Sequence, residues 1–510
     1  MKNFKRLLCL SLGAVMLLGA LVACGKDEPE GVDSGSDTDS DVLESIGGSE
    51  TETQWETDEN GFVVDDIPDT TYDGKIINIV GWENAKDYTL PDDGGDGGAQ
   101  LLSMIYLNRL SVEARLDVQF EINYMVGKGG DGGASQEALI NEISSGASKY
   151  DLIQNYSLFP AVMAQRGLLV NFNNLEYPHL NMPWWPESIR AQWEQYDSLY
   201  FVANNSSAQS LRMMLVMYSN TDMITREGLQ DPVELVLSGD WTVEKMIQYA
   251  RAFESQAANT PGEIYGLVVD DHSRTDVLYY GAGFHSTEND ANGVAKPTWT
   301  DAGYRTRVSN YLDTLVSFFK SNAVEIANDS RELMVQKKTA LMIAAMSTLE
   351  AQKGDTTYAA IPIPKLDKDS EYRTIHNNAF DMWCIPKSAA DAELSGLVIE
   401  AIASSEYRNI APYYFETVLK DRYSQNANGM KVFDIIRSSV TYDFGRLCQF
   451  ALEDTVEYMW RRSFVIYPSG SAPIKTPNNT LESQWTTSGT KIETGIMKLL
   501  ADFRNNNRAS

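Results

Sequence analysis

The sequence predicts an α/β protein in which largely parallel sheets are flanked by helices. Lys75–Val80 is a short β-rich run, and a helical pattern over 101–116 separates it from a second β-rich run at 117–122. A second helix at about 135–145 and a strand at 150–154 continue this alternation. Parallel strands need crossover connections, which are usually helical, so the alternation indicates a mainly parallel sheet with helices on both faces.

The first predicted helix is defined by the spacing of its apolar residues and by one ion pair. Leu101, Ile105 and Val112 fall on one helical face, which is typical of a helix packed against a sheet. Arg109 and Glu113 are four residues apart and therefore face each other along the helix.

The alternation resumes in the second half of the chain. An apolar run extends over 211–219, and Thr242 is placed to cap a helix with Glu244 in its first turn. Tyr265–Val269 has the composition of a strand. Apolar spacing predicts further amphipathic helices over 304–319, 394–402 and 492–503.

Charge and composition argue against nucleic acid as a partner. The 510-residue chain carries a formal net charge of -29, whereas phosphate binding requires a basic surface. Residues 25–60 alone contain thirteen Asp or Glu and one Lys. A segment with so few apolar side chains cannot bury enough surface to fold, so residues 24–60 are predicted to form a disordered acidic tether.

The first residues have the organisation of an export signal. Three basic residues precede an apolar run over 7–22 that is too short and wrongly flanked for a spanning helix. The run ends in Leu21-Val22-Ala23-Cys24-Gly25, which resembles the lipobox of bacterial lipoproteins. The resemblance implies a signal peptide over 1–23 and acyl chains on Cys24, an anchor on the outer face of a cell membrane of the Gram-positive type. An ordinary secretory signal with a chance cysteine is the alternative.

Cys384 and Cys448 are the cysteines left in the part that is predicted to fold. A disulfide is permitted outside the cell, but sequence alone does not place two thiols within bonding distance. A disulfide and two separate buried thiols both stay open.

Several short segments follow one another in a characteristic order and spacing. They include Tyr150-Asp151-Leu152-Ile153, Gln165-Arg166-Gly167-Leu168-Leu169, Met217-Tyr218-Ser219-Asn220-Thr221-Asp222, Asp240-Trp241-Thr242, Ala360-Ile361-Pro362-Ile363-Pro364 and Ile385-Pro386-Lys387-Ser388. Together they resemble, over about residues 72–505, the family 1-like extracellular solute-binding proteins of sugar-type ABC importers.

This resemblance implies the two-lobed, type II periplasmic-binding-protein-like fold. Each lobe would be a mainly parallel sheet flanked by helices, with a hinge of several crossing segments and the ligand in the cleft between the lobes. It places lobe one at about 72–205 and 335–375, and lobe two at about 206–334 and 376–510.

The function that the resemblance implies is capture of a small ligand and its delivery to the permease subunits of an ABC importer. A sugar or an oligosaccharide is the expected ligand, and a monomer with no cofactor and no catalytic residues is the expected form. A secreted carbohydrate-active enzyme and a ligand-sensing subunit of a membrane signalling system are the alternatives.

No motif of a metal or catalytic centre stands out in the sequence. None of the four histidines has another histidine four residues away or a cysteine nearby, and neither a G-x-S-x-G elbow nor a P-loop is present. The Asp92–Gly98 loop superficially resembles a calcium loop, but Gly94 stands where an EF-hand needs an oxygen ligand. We interpret it, and the similar Gly127–Gly133 segment, as a mobile insertion, and cation binding by the first loop stays open.

Aromatic residues carry the prediction of the binding site. Sugar sites place flat rings against C–H faces and polar side chains against hydroxyls. Ligands in open α/β sheets sit beyond the carboxyl ends of strands, which makes Trp82 and Tyr156 candidates in lobe one. Trp184 and Trp185 lie between two prolines and either line the mouth of the cleft or brace a loop.

Four further candidates are assigned to lobe two. Tyr279 and Tyr280 lie in a predicted loop beyond a strand, and Trp383 lies beside Asp381 near the predicted third crossing. Trp241 stands at a helix entry and is interpreted as a core residue.

Overall fold

The computed structural model of the chain leaves the predicted anchor outside the part that it describes. Signal peptide, Cys24 and the tether up to residue 54 fall there, as do parts of the Asp92–Gly98 and Gly127–Gly133 loops. Within the described part, no helix is both long and apolar enough to span a bilayer. The structure describes residues 55–94, 100–127, 132–147, 149–269, 272–327, 330–350, 357–415, 427–453, 456–464, 468–469, 472–473 and 477–508.

Strands and helices alternate through most of this part. The strands are β1 (Lys75–Trp82), β2 (Val118–Met125), β3 (Leu152–Tyr156), β4 (Leu215–Asn220), β5 (Tyr265–Val269), β6 (Thr287–Asn289), β7 (Ala295–Pro297), β8 (Val324–Ile326), β9 (Thr339–Ala345), β10 (Tyr358–Ile361), β11 (Asp381–Cys384), β12 (Pro468–Ser469) and β13 (Ala472–Pro473).

The helices are longer on average than the strands that they connect. The α-helices are α1 (Gln100–Leu116), α2 (Gly132–Ser144), α3 (Pro160–Gln165), α4 (Glu187–Trp193), α5 (Ala208–Met213), α6 (Thr221–Arg226), α7 (Pro232–Leu237), α8 (Val243–Arg251), α9 (Glu254–Asn259), α10 (His272–Gly281), α11 (Ala302–Phe319), α12 (Ser330–Val335), α13 (Ala392–Tyr413), α14 (Ala427–Ser438), α15 (Phe444–Leu447), α16 (Glu457–Ser463) and α17 (Leu481–Arg508). Short 3-10 helices cover Glu83–Tyr88, Phe172–Asn174, Thr298–Thr300 and Met346–Leu349.

The first sheet has the strand order β11-β3-β1-β2. β1 is parallel to both β2 and β3, whereas β11 runs antiparallel to β3 at the edge. All five residues of β3 are buried, as expected for a strand covered on both faces. Helices α1 and α13 pack against each other beside this sheet, and the Ser405 hydroxyl donates to the Asn108 side chain between them at 2.6 Å.

The second sheet has the strand order β10-β4-β9-β5-β8. β5 is parallel to β8 and β9, and β4 is antiparallel to both β9 and β10. Four of its five strands therefore share one direction, and the predicted fold of two mainly parallel sheets flanked by helices is confirmed.

Strand pairing differs from the predicted division of the chain in two places. The range 335–375 is predicted to belong to lobe one, but β9 and β10 lie in the second sheet. The range 376–510 is predicted to belong to lobe two, but β11 joins the first sheet and α13 packs beside that sheet. The reason is that a strand's sheet is decided by hydrogen bonding to strands far away in sequence, which local alternation does not report.

Within the described residues, two neighbouring segments cross between the lobes. Val202 bridges to Trp383 beside the first sheet, and Met214 bridges to His376 beside the second, so residues 203–213 and 377–382 cross side by side. The last helix, α17, also touches both lobes. Its far end donates from Asn506 to the carbonyl of Ala164 at 2.9 Å, and its near end places Glu482 3.4 Å from Arg305 of α11.

The folded part begins before the predicted end of the tether at residue 60. Thr57 forms a β-bridge with Val63, and the Phe62 ring packs edge-on against Tyr407 at 5.8 Å. Asp65 lies between Arg115 and Arg408, where burial raises its pKa but hydrogen bonds from Arg115 and Ser404 outweigh this and lower it to about 2. Acidic composition alone does not reveal that Phe62 and Asp65 contact side chains of lobe one.

Several local predictions are confirmed by contacts. Thr242 accepts from the backbone N–H of Lys245 at the start of α8, and Arg109 lies 3.4 Å from Glu113. The Trp241 indole is fully buried and donates to the carbonyl of Pro362.

Two features left open by the sequence are settled by packing. Cys384 and Cys448 are separate buried thiols. Trp184 and Trp185 brace a loop, because both indoles donate to the carboxylate of Glu400, at 3.1 and 2.8 Å. Burial raises the pKa of Glu400 to about 8, although these two hydrogen bonds act in the opposite direction.

Candidate functional site

The carboxyl ends of the first three strands meet at one edge of the first sheet. β1 ends at Trp82, β2 at Met125 and β3 at Tyr156, and β1 is hydrogen-bonded to both of the others. Residues just beyond this edge are where an open α/β sheet presents its ligand site.

Four aromatic rings form a continuous cluster at this edge, which we call the aromatic shelf. Trp82 lies 5.5 Å from Tyr156, and Tyr156 lies 5.8 Å from Phe159 and 6.3 Å from Phe450, measured between ring centroids. Phe159 and Phe450 are 6.2 Å apart. The first three rings are buried, whereas Phe450 is 38% exposed. The shelf therefore has a packed base and one accessible ring.

Side-chain amides border the shelf. The Asn84 carbonyl oxygen accepts from the Trp82 indole at 3.1 Å and from the backbone N–H of Gly127 at 2.9 Å. Gly127 is required by space here, because a Cβ would lie 2.3 Å from Asn155 Oδ1 and 2.5 Å from Trp82 Nε1. The segments that follow β1 and β2 therefore meet beside the end of β3.

Arg212 of α5 connects the edges of the two sheets. Its Nε donates to Glu350, just beyond the carboxyl end of β9, at 2.9 and 3.0 Å to the two oxygens. Its guanidinium lies 3.2 Å above the ring of Tyr88, in the 3-10 helix that follows β1. Tyr414, beyond α13, donates to Glu350 at 3.0 Å. The carboxyl edges of β1 and β9 therefore face each other across Arg212.

Asp381 lies beneath the shelf and is fully buried. It stands opposite Tyr156 in the register of β11 with β3. Its carboxylate accepts from Gln154 at 2.9 Å and from Ser207 at 2.8 Å, and burial raises its pKa. These partners belong to β3 and to the connecting segment, so in this structure Asp381 ties the hinge to the first sheet.

The six candidate residues do not form one cluster. Trp82 and Tyr156 touch, as the strand-end rule predicted, and Asp381 lies opposite Tyr156. Trp383 is fully buried in β11 and so belongs to lobe one, not to lobe two as predicted. Trp383 belongs to lobe one because β11 pairs with β3 at the edge of the first sheet. The sequence does not reveal this pairing.

Tyr279 and Tyr280 lie in helix α10, not in a loop. Tyr279 is fully buried and stacks on Trp299 at 5.4 Å, and its hydroxyl donates to the carbonyl of His285. The Tyr280 hydroxyl shares a hydrogen bond with Ser286 at 3.0 Å. Both tyrosines occupy the core of lobe two in this arrangement, and a ligand contact by either stays a prediction.

Two shelf residues escaped the sequence reasoning. Phe159 follows β3 by three residues, so the strand-end rule could have included it. Phe450 follows α15 and comes after no strand, so no local signal marks it. No group of histidine, cysteine and carboxylate side chains with the arrangement of a metal site occurs among the described residues.

Comparison with known proteins finds similarity at the level of the fold. No family model matches the chain, and no curated protein matches it significantly. A solved cyclo/maltodextrin-binding protein complexed with maltotetraose is similar with a TM-score of 0.51 and 13% identity, over 85% of this chain and 97% of that one. The sugar-binding protein MalE from Xanthomonas citri is similar with a TM-score of 0.52 and 10% identity, over 85% of this chain and 99% of that one. The chain therefore has the two-lobed fold of MalE-like periplasmic binding proteins.

Proposed function

We propose that this protein is an extracellular, lipid-anchored solute-binding protein that captures a carbohydrate and delivers it to an ABC importer. The observation that carries the proposal is the aromatic shelf, with its accessible Phe450 ring and bordering amides, at the strand-end edge of a two-lobed binding-protein fold. The similar structures named above are, by their names, sugar-binding proteins, and this supports the choice of ligand class.

The chemistry of the shelf suits a sugar ring. An aromatic face packs against the C–H face of a pyranose, while amide groups such as that of Asn84 are suited to hydroxyls. We therefore expect neutral mono- or oligosaccharides to bind.

Delivery to the permease requires that the ligand-bound and ligand-free proteins differ in conformation. A ligand that touches both lobes favours the closed arrangement only by its difference in affinity for the open and closed states. Arg212 contacts Tyr88 on one side and Glu350 on the other. A movement of one lobe relative to the other would therefore change these contacts. In this proposal the permease recognises the closed form.

A thermal-shift screen over mono- and oligosaccharides, beginning with malto-oligosaccharides, tests the proposal. A ligand that binds only the folded state should stabilise it by about 2.7 kcal/mol at one hundred times Kd, and small-angle scattering should show compaction at saturation. Sugars that leave both the melting temperature and the scattering profile unchanged would contradict it. Turnover of the bound glycan would instead indicate the enzyme alternative.

The lipid anchor is tested separately by replacing Cys24 with alanine. We expect the variant to incorporate no fatty-acid label and to be released or left unprocessed, because the acylated thiol is gone. Metabolic labelling with a fatty-acid analogue measures this. Cys9→Ala is the matched control, since Cys9 lies within the predicted leader. Equal labelling of Cys24→Ala and wild type would contradict the anchor.

A further inference from the structure

A recess lies between the lobes, apart from the aromatic shelf, and none of its lining residues belongs to the shelf. It has a volume of about 190 Å³. Gln192 of α4 lines it from lobe one, and His285 and the three residues of β6 (Thr287–Asn289) line it from lobe two. Arg373 and Phe444 complete it.

Arg373 supplies a cation to this recess. Its NH1 lies 3.2 Å from Nε2 of His285, and no carboxylate in the described part of the chain lies within 4.0 Å of its guanidinium. Burial, and then the nearby Arg373, lower the pKa of His285 to about 4. The imidazole is therefore neutral at physiological pH and accepts a hydrogen bond from Arg373 without balancing its charge. A guanidinium has five N–H donors, so several are left for a ligand.

The neighbouring groups narrow the class of ligand. Asn289 donates to the carbonyl of Ala191 at 2.5 Å, and Gln192 donates to the Thr441 hydroxyl at 3.4 Å, so each amide keeps a second N–H for a hydroxyl or carbonyl oxygen. Phe444 adds an apolar wall. The exposed carboxylate of Glu288 on the rim disfavours a ligand with more than one negative charge.

The buried carboxylate of Asp443 fixes the position of β6 beside the recess. It accepts from the backbone N–H groups of Ser286 and Thr287 at 2.8 and 3.1 Å, and from that of Arg446 at the start of α15. These hydrogen bonds hold β6 against α15. Phe444 of this helix lines the recess, Cys448 beyond it is buried, and Phe450 lies on the shelf.

We propose that this recess binds a small polyhydroxy monocarboxylate, such as a sugar acid, with its carboxylate on Arg373 and its hydroxyls on the amides of Gln192 and Asn289. A planar guanidinium can hold a carboxylate through two parallel hydrogen bonds, which a neutral sugar does not offer. Because the walls come from different lobes, the ligand would hold α4 and β6 together. This site is independent of what binds at the shelf.

Glucuronate and gluconate serve as probes, with glucose as the uncharged control, in calorimetric titrations of the full-length protein. We expect both acids to bind wild type and Phe450→Ala equally, and Arg373→Gln to weaken them about ten- to hundredfold. Arg373→Lys keeps the positive charge but loses the planar guanidinium, so its affinity for the acids should lie between those of wild type and Arg373→Gln. Melting temperatures establish that the variants are folded.

His285 supplies a readout that a loss of folding would not mimic. An anion on Arg373 offsets the positive field at the ring, so saturating glucuronate should raise the pKa of His285, followed by NMR and assigned with His285→Gln. No binding of either acid, binding unaffected by Arg373→Gln, or a His285 pKa that does not move would each overturn the proposal. Loss of acid binding in Phe450→Ala would place the acid on the shelf and also overturn it. Failure of neutral sugars to bind would count only against the proposed function.

Discussion

Replacing Arg461 by methionine is expected to lower the free energy of unfolding by about 3–5 kcal/mol. Arg461 of α16 and Asp276 of α10 form an ion pair in which Arg461 Nε lies 3.0 Å from each carboxylate oxygen, and their side chains are 7% and 1% exposed. Methionine fills much of the same volume, so the cost arises from removing the guanidinium that faces the buried Asp276 carboxylate. Urea unfolding followed by circular dichroism measures it.

Two control variants separate this effect from general disturbance. Arg166 pairs with Glu137 at 2.9 Å on the surface, where the side chains are 44% and 55% exposed, so Arg166→Met should cost no more than about 1 kcal/mol. Adding Asp276→Leu to Arg461→Met should recover much of the lost stability, because the buried carboxylate is then removed together with its guanidinium partner. Equal costs for the buried and the exposed pair, or no recovery, would contradict the assignment.

Replacing Phe450 by alanine is expected to weaken sugar binding by about 1–3 kcal/mol, the burial value of a large apolar side chain. This corresponds to a roughly ten- to hundredfold increase in Kd. Phe450 is the accessible ring of the shelf, so it can be truncated while Trp82 and Tyr156 keep their packing. Calorimetry with the sugar that the screen identifies measures the change.

Tyr196→Ala is the matched control for this prediction. Tyr196 is 36% exposed, close to the 38% of Phe450, and lies outside the shelf with Arg504 5.3 Å from its ring centroid. It should leave the affinity unchanged. Full affinity in Phe450→Ala would remove this ring from the site without affecting the fold, and equal losses in both variants would indicate a general disturbance.

The paired aromatics at the strand ends could be predicted from the sequence, and the remainder of the shelf could not. Trp82 and Tyr156 each end a strand recognised by its composition, and parallel strands that neighbour each other bring their carboxyl ends together. Phe450 reaches the same place through α15, which the chain enters about 300 residues after β3. A contact across that separation leaves no local pattern.

Tyr279 illustrates the opposite outcome. Its position after a strand favoured a ligand contact, yet α10 turns the ring into a stack with Trp299 and Phe284. An aromatic residue satisfies the same spacing rule whether it faces a cleft or a core. Only its neighbours distinguish the two, because burial depends on all of the elements that surround a side chain.

The sequence by itself determined the features that depend on neighbouring residues: the alternation of strands and helices, the cap of α8, the Arg109–Glu113 pair and the residues that end β1 and β3. The tertiary structure alone decided which sheet takes β9, β10 and β11, where Arg212 lies between the lobes, and how Arg373 comes to lie beside His285. Helical periodicity and capping act over a few residues, so they can be read along the chain. Strand pairing and the packing of lobes act between residues hundreds of positions apart, so they exist only once the chain has folded.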